Sequence, residues 1–251
     1  MLEFDILTLA LLFGAAFLGG FIDSIAGGGG SITLPALLLS GISPLEALAT
    51  NKLQGVFGSF SATRLFYKKG YINLKKCLPF AILAFAFSAL GTISVQFINS
   101  DFLSKFLPFF IILFGFYFLF SPKIKEEQRA TRFHKAYFLF ALAGIGFYDG
   151  FLGPGTGSFL LLALIVLAGY GLTNALGEAK LYNFATNLAS VIFFAIGGNM
   201  LFGVGLMMAL GQFIGANLGS RAAIRYGIKI IKPLIVIVSF AMAAKLLYEQ
   251  F

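Results

Sequence analysis

Five ionisable side chains stand inside otherwise apolar stretches of this sequence: Asp23, Lys52, Asp149, Glu178 and Lys180. A charge at the centre of a membrane helix costs about 2.5–3.5 kcal/mol on insertion scales. Five of them facing lipid would cost on the order of 12–17 kcal/mol, more than the net stability of most proteins. They must face a protein interior. There an ionisable group marks a solute path, a proton relay or an ion pair. Two glycine-rich turns lie beside them. The first is Asp23-Ser-Ile-Ala-Gly27-Gly28-Gly29-Gly30-Ser31-Ile-Thr33, and the second is Gly153-Pro154-Gly155-Thr156-Gly157-Ser158. Each glycine costs a helix about 1 kcal/mol relative to Ala. Such turns bend the chain sharply and uncover backbone amides, which lipid does not tolerate, so they sit inside protein or line a wet cavity. A helix that begins at about Ser31 aims its N-terminus into the first turn. Its free N–H groups and partial positive charge favour an anion. Pro154 fixes the second turn, with Ser158 or Thr156 as the cap.

The chemistry this pattern predicts is anion binding between two broken helices. Amides and hydroxyls of Gly28, Gly29, Gly30, Ser31, Thr33, Gly155, Thr156, Gly157 and Ser158 hold the anion. Lys52 and Lys180 supply positive charge, and Asn51 and Asn187 add polar groups. Asp23 and Asp149 orient the turns or carry a proton. The plainer alternative is a pair of tight hairpins held by two Asp–Lys pairs. Taken as ionised, the five charges sum to −1, and a net-negative cavity repels an anion. Either the acids pair with the lysines, or one acid is protonated when substrate binds, which would couple anion and proton movement. Gln54, Asn183, Asn199, Gln212 and Asn217 line a path or bond between helices, with bonding the favoured reading. Gly211, Gly215 and Gly219 form a packing ridge. Glu46 belongs to a helix cap, and His134 to a solvated loop.

The elements that must position these residues follow from composition. The chain has 251 residues, 59% hydrophobic and 11% charged, with mean hydropathy +0.93. A soluble domain is about 45–50% apolar and about 25% charged. A soluble enzyme, a disordered chain and a coiled coil are excluded. The apolar runs show no period-two alternation, which excludes a transmembrane barrel. Ten apolar segments are expected: 4–25, 31–40, 44–66, 77–98, 102–120, 136–152, 157–169, 174–196, 200–219 and 229–248. A full span needs about 20 residues, so 31–40 and 157–169 are half-helices, re-entrant arms or short tilted spans. Ser43-Pro44-Leu45-Glu46 is a capping box that starts a helix at Pro44. Lys52 then lies about 12 Å into that helix. The single Cys77 and single His134 exclude an internal disulfide and a histidine or multi-cysteine metal site. No cofactor is expected.

A repeat is visible. Gly20-Phe21-Ile22-Asp23 returns as Gly146-Phe147-Tyr148-Asp149, with Gly27 and Gly153 each four residues after the Asp. Further on, Lys52 matches Lys180, Gly70 matches Gly198, and Gly91 matches Gly219. Net charge is +8, and fourteen of the 18 Lys and Arg fall in 64–76, 123–135 and 221–232. That clustering is the positive-inside signature of cytoplasmic loops, not a nucleic-acid footprint. The basic loop 67–76 corresponds to an uncharged loop near 196–203, and the basic 221–232 to a neutral 96–105. Basic loops thus swap sides between the copies. The expected fold class is an all-α polytopic membrane protein of two inverted-topology five-segment repeats, with 8–10 transmembrane helices. The first repeat is 1–121, a basic cytoplasmic linker is 122–135, and the second repeat is 136–251. Both termini face out of the cytoplasm. Glu3 and Asp5, with no early Lys or Arg, make the first run a retained helix, not a signal peptide.

These residues resemble one known family. Asp-Ser-Ile-Ala-Gly-Gly-Gly-Gly-Ser from Asp23, Ala49-Thr50-Asn51-Lys52-Leu53, Asp149-Gly-Phe-Leu-Gly-Pro-Gly-Thr-Gly-Ser158 and Ala185-Thr186-Asn187 are similar to the sulfite exporter TauE/SafE permeases. The resemblance spans nearly the whole chain. It implies a multi-pass inner-membrane permease for sulfite, a sulfonate or another small sulfur-containing or organic anion. The partners it implies are that anion and the lipid bilayer, with a homo-oligomer compatible with the sequence. No GxxxxGK[ST] motif is present, so a gradient or a separate subunit supplies energy. A Ser–His hydrolase is not expected, because His134 lies in a loop away from any buried serine. A metalloprotease would need a His pair. The remaining rivals are an anion channel and a non-transporting assembly partner.

Overall fold

The computed structural model describes residues 4–99, 101–103, 105–106 and 135–226. Among these residues all regular structure is helical. The helices are α1 (Ile6–Ala26), α2 (Gly30–Leu39), α3 (Pro44–Lys68), α4 (Leu74–Gln96), α5 (Lys135–Phe151), α6 (Thr156–Val166), α7 (Leu172–Ile196) and α8 (Phe202–Tyr226). They fall on the expected segments. The segments expected over 102–120 and 229–248, the linker 122–135 with His134, and both termini lie wholly or largely outside the described residues. Among the described residues four helices are long and apolar enough to cross a membrane: α1, α4, α7 and α8. α3 is also 25 residues long, but Thr50, Asn51, Lys52 and Gln54 give it a polar buried face. α2 and α6 have 10 and 11 residues, too short to span a bilayer upright.

The helix starts have local causes. The Asp5 carboxylate caps α1 by accepting the Thr8 N–H at 3.1 Å. Pro44 opens α3 as expected. The capping box there is altered: Ser43 Oγ donates to Glu46 Oε2 at 2.6 Å and makes no bond to a helix amide. A carboxylate is the stronger acceptor, and it wins the hydroxyl proton.

Contacts along the helices set their directions. α1 lies along α8. A Cβ at Gly211, Gly215 or Gly219 would come within 2.7, 2.0 and 2.2 Å of the carbonyl oxygens of Phe13, Phe17 and Phe21. The numbers rise together, so the two helices are parallel. α4 and α5 pair the same way, with Gly146 against Ala84 and Gly150 against Ser88. α3 runs parallel to α8, through Leu53 on Gly205 and Ser61 Oγ donating to the Phe213 carbonyl at 3.0 Å. α4 runs parallel to α7, through Ser88 Oγ donating to the Thr186 carbonyl at 2.8 Å and Thr92 Oγ1 to Ser190 Oγ at 2.9 Å. α3 and α7 are antiparallel: Gly55 faces Asn187, Phe60 packs on Phe184, and Phe66 faces Gly177. Two pairings between the halves thus have counterparts with the halves exchanged: α1–α8 is matched by α4–α5, and α3–α8 by α4–α7.

These directions bring the C-terminal ends of α3 and α8 and the N-terminal ends of α4 and α5 to one end of the bundle. Lys68, Lys69, Lys75, Lys76, Arg221 and Arg225 are gathered there. An apolar cluster around Phe66, Leu142, Leu160, Leu164 and Leu176 fills the same end. A second, around Leu12, Leu34, Leu37, Leu48, Phe194 and Met208, fills the other. Leu7, Leu11, Leu78, Ile82, Phe140, Leu206 and Leu210 point outward and exposed, as lipid-facing side chains do.

The glycine ridge predicts a sharp steric cost. Gly215→Val should destabilise the protein by about 1–3 kcal/mol or more, the cost of overpacking. Thermal unfolding of the purified protein in detergent checks this. Gly203→Ala, where a Cβ meets nothing within 4 Å, should leave the midpoint unchanged or slightly raised.

Candidate functional site

Between the two apolar clusters the interior turns polar. Lys52 of α3 reaches across to Asp149 of α5, Nζ to Oδ1 2.7 Å. Lys180 of α7 reaches across to Asp23 of α1, Nζ to Oδ2 2.8 Å, and also donates to the Asp23 carbonyl. The pairs are crossed: each lysine takes its acid from the other half of the chain. Side-chain exposure is 2% for Lys52, 2% for Asp149, 1% for Lys180 and 15% for Asp23. Among the described residues these are the ion pairs within 4 Å. The four charges cancel, so the centre is neutral and not net negative. Glu178, the fifth charge, is held elsewhere. Tyr182 donates to its Oε2 at 3.0 Å, and Glu178 does not line the central cavity.

The glycine turns place these pairs. Gly27 ends α1 in the left-handed region, φ +84, and its N–H donates to the Asp23 carbonyl at 2.8 Å. Gly153 follows α5 in the same way, φ +97. Only glycine adopts such angles without strain. A Cβ at Gly153 would also stand 2.7 Å from Lys52 Nζ. The two turns touch each other: a Cβ at Gly27 would lie 2.3 Å from the Gly157 carbonyl carbon. Ser158 fastens them, its N–H donating to the Gly27 carbonyl at 3.2 Å and its Oγ to the Ala26 carbonyl.

The capping expected for the second turn is corrected here. Gly155, φ +83, stands at the N-cap of α6, with no side-chain cap. Thr156 Oγ1 instead lies 2.7 Å from Asp149 Oδ1, and Ser158 holds the other turn. A carboxylate is the stronger acceptor and draws the hydroxyl from the capping position. Several amides of the turns are also engaged. Gly29 N–H donates to Asp23 Oδ1 at 3.3 Å. The Ser31, Thr33 and Thr156 N–H groups donate to nearby glycine carbonyls.

A cavity of about 30 Å³ lies at the crossing, the room of one or a few waters. Asp23, Gly30, Asn51, Lys52, Asp149, Gly155, Thr156, Gly157 and Asn187 line it, joined by Gly27, Gln54, Gly55, Gly153, Asn183 and Gln212. Of the other residues expected here, Gly29 packs under Gly19, and Thr33 donates to Asn51 Oδ1 at 2.5 Å behind the wall. Gly28, Ser31, Ser158 and Lys180 also stand outside the lining. For Gln54, Asn183 and Gln212 the sequence reading favours interhelical bonding over lining a path; the structure places all three in the lining. Helical spacing carried a signal for two of them. Lys180, Asn183 and Asn187 are three and four residues apart, which puts them on one face. Asn51 and Gln54 share a face in the same way, and Gln54 Nε2 donates to Asn51 Oδ1 at 2.8 Å.

The profile of the family described as Sulfite exporter TauE/SafE matches residues 12–246. The chain belongs to that family. It is 49% identical over 242 residues to a probable membrane transporter protein, ORF9, of Sinorhizobium sp, covering 96% of this chain and 93% of that one. It is 46% identical over 252 residues to a probable membrane transporter protein of Haemophilus influenzae, covering 99% and 98%. It is 46% identical over 245 residues to the probable membrane transporter protein YfcA of Escherichia coli K12, covering 97% and 91%. No solved structure matches the chain. In this TauE/SafE chain the two glycine turns and the Asn51-Lys52 segment meet at one point.

The crossed pairs predict strong coupling between distant positions. Lys52→Met or Asp149→Leu alone leaves a buried charge without its partner, a cost of about 3–5 kcal/mol. The double variant Lys52→Met/Asp149→Leu should recover most of that loss. A double-mutant cycle on thermal unfolding in detergent measures it, and additive losses would contradict the pairing.

Proposed function

We propose that this chain is a membrane transporter, a secondary carrier for a small anion such as sulfite, a sulfonate or another small organic anion. The observation that carries the reading is the meeting of two helix breaks, one from each half, around a cavity walled by Lys52, Asp149, Asp23 and amide side chains. An entering anion competes with the carboxylates for the lysine protons. Lys52 has three N–H donors; one is given to Asp149, and others can turn to the solute. An acid that loses its lysine in a dry interior gains a proton more readily. Anion and proton movement would be coupled through Asp149 or Asp23 in that way. The family and the names of the relatives support transport in general. The anion and the coupling are the proposal.

We read the halves, 1–121 and 136–251, as inverted-topology repeats joined by the 122–135 linker. The antiparallel course of α3 and α7 supports this, as do the exchanged helix pairings. The basic end then faces the cytoplasm by the positive-inside rule. An apolar cluster closes each end of the polar centre. That arrangement favours a carrier with alternating access over an open channel.

Flux into proteoliposomes tests the function. Purified protein should take up labelled sulfite saturably, with sulfate and a small sulfonate as competitors. Lys52→Ala and Lys180→Ala should each lower uptake about tenfold or more, equivalent to about 1.4 kcal/mol. Faster uptake with an inward proton gradient would support coupling. No flux of any of these anions would overturn the anion reading. Topology is tested separately by cysteine labelling from either side: 67–76 and 221–226 should react from the same face.

A further inference from the structure

Among the described residues Glu178 is the buried charge with no counter-charge within 4 Å. It is 6% exposed. The Tyr182 hydroxyl donates to its Oε2 at 3.0 Å. Cys77 and Lys76 of α4 and Tyr170 of the α6–α7 turn also stand around it, and Tyr71 of the α3–α4 turn packs on Gly177 beside it. Lys76 is the cation of this group, exposed to solvent and beyond ion-pair reach. Ile25 of α1, Phe66 of α3, Phe138 of α5 and Leu164 of α6 add apolar side chains at the same end. Lys180, two residues on, is given to Asp23. α7 begins at Leu172, at the basic end, so Glu178 stands about 9 Å into the helix, between that end and the Lys180–Asp23 pair. The repeat does not reproduce it. At the spacing that matches Lys52 with Lys180, Glu178 falls on Thr50, Tyr182 on Gln54 and Cys77 on Gly205. Thr50 belongs to the opposite end, where its Oγ1 accepts the Leu201 N–H at 3.2 Å. The central pairs are duplicated, and this carboxyl is built at one end.

We propose that Glu178 is a proton-binding site at the basic, cytoplasmic end, separate from Asp23 and Asp149, and that its proton holds that end closed. The carboxylate takes the proton from cytoplasmic water and becomes a carboxylic acid; no other bond changes. A charge buried without a counter-charge is costly, and such a group takes up a proton instead. As a neutral acid Glu178 suits the closed, apolar end and keeps its hydrogen bond to Tyr182. When the end opens, water and the Lys76 ammonium reach the carboxyl, and both favour its ionised form. The proton therefore binds the closed state better than the open one. A ligand with that difference shifts the population toward the state it prefers. Low cytoplasmic pH keeps this end shut, and higher pH lets it open. The inference rests on the carrier reading for its alternating ends, and it holds whichever solute is carried.

Two readouts on the full-length protein in lipid test this, and neither uses a solute. Infrared difference spectra taken between about pH 5 and about pH 8 read the proton. The unsubstituted protein should show a carboxylic-acid C=O band that titrates in this range and is missing from Glu178→Gln. Tyr182→Phe removes a donor that favours the ionised form, so there the band should persist to higher pH. Amide hydrogen exchange over 167–178 reads the closure. Corrected for the intrinsic effect of pH, exchange should be about threefold or more faster at the upper pH than at the lower. Glu178→Gln carries a fixed neutral side chain and should be slow at both. A merely structural role for Glu178 would leave the pH response in place. If Glu178→Gln does not fold, Tyr182→Phe carries the test, with both transitions moved to higher pH. A titrating band that Glu178→Gln keeps, or no such band in the unsubstituted protein, overturns the proton site. Exchange that responds to pH equally in Glu178→Gln overturns the closure. Either failure leaves anion transport standing, and a proteoliposome without anion flux leaves these two readouts as they are.

Discussion

A charge buried in a dry interior must find its counter-charge, and in this protein it finds it in the other half of the chain. Removing an ion from water costs several kcal/mol even after relaxation. Lys52 and Lys180, both almost fully buried, cannot be left alone. Each is paired with an aspartate 97 or 157 residues away in sequence. The halves therefore complete each other at their centre. The pairs also set a neutral balance at the centre.

The glycines serve that constraint in two ways. At Gly27 and Gly153 the positive φ turns the chain just after Asp23 and Asp149, so that each acid sits at the end of a broken helix. At Gly157 and along Gly211, Gly215 and Gly219 the missing Cβ lets backbones meet. Without a hydrophobic drive between helices in lipid, close packing of small residues holds a membrane bundle together. Bulk side chains close the two ends, and small ones close the middle around a cavity of about 30 Å³. A solute larger than a few waters must widen that space to enter. The two apolar clusters above and below are the parts that would have to separate.

Much of the site was legible before any coordinates. Lys52, Asp149, Asp23 and Lys180 stood out because a charge in an apolar run is expensive wherever the run lies. The glycine turns stood out because they interrupt a pattern that otherwise continues. The sequence leaves Gln54, Asn183 and Gln212 between lining a path and bonding a neighbouring helix. An amide in a membrane helix bonds a neighbouring helix as readily as it lines a path; a face shared with Asn51 or Lys180 marks Gln54 and Asn183, and no such spacing marks Gln212. Glu178 looked equivalent to the other charges. It is two residues from Lys180, which on a helix turns it to another face, where Tyr182 holds it. The hydroxyls of Thr156 and Ser158 looked like caps because of their place in the turn, yet a buried carboxylate and the opposite turn were better partners.

Hydropathy, helix periodicity and loop charge are local properties, and the sequence by itself determined what depends on them. These are the membrane class, the segment boundaries, the two broken helices and the set of charges that lipid could not hold. Pairing is not local. The tertiary structure alone decided that the lysines cross between halves, that their charges cancel and that turn amides are spent inside the turns. Each of these depends on which groups lie within about 3 Å across helices far apart in the chain, a distance that hydrogen bonds require and that no pattern along one strand of sequence records.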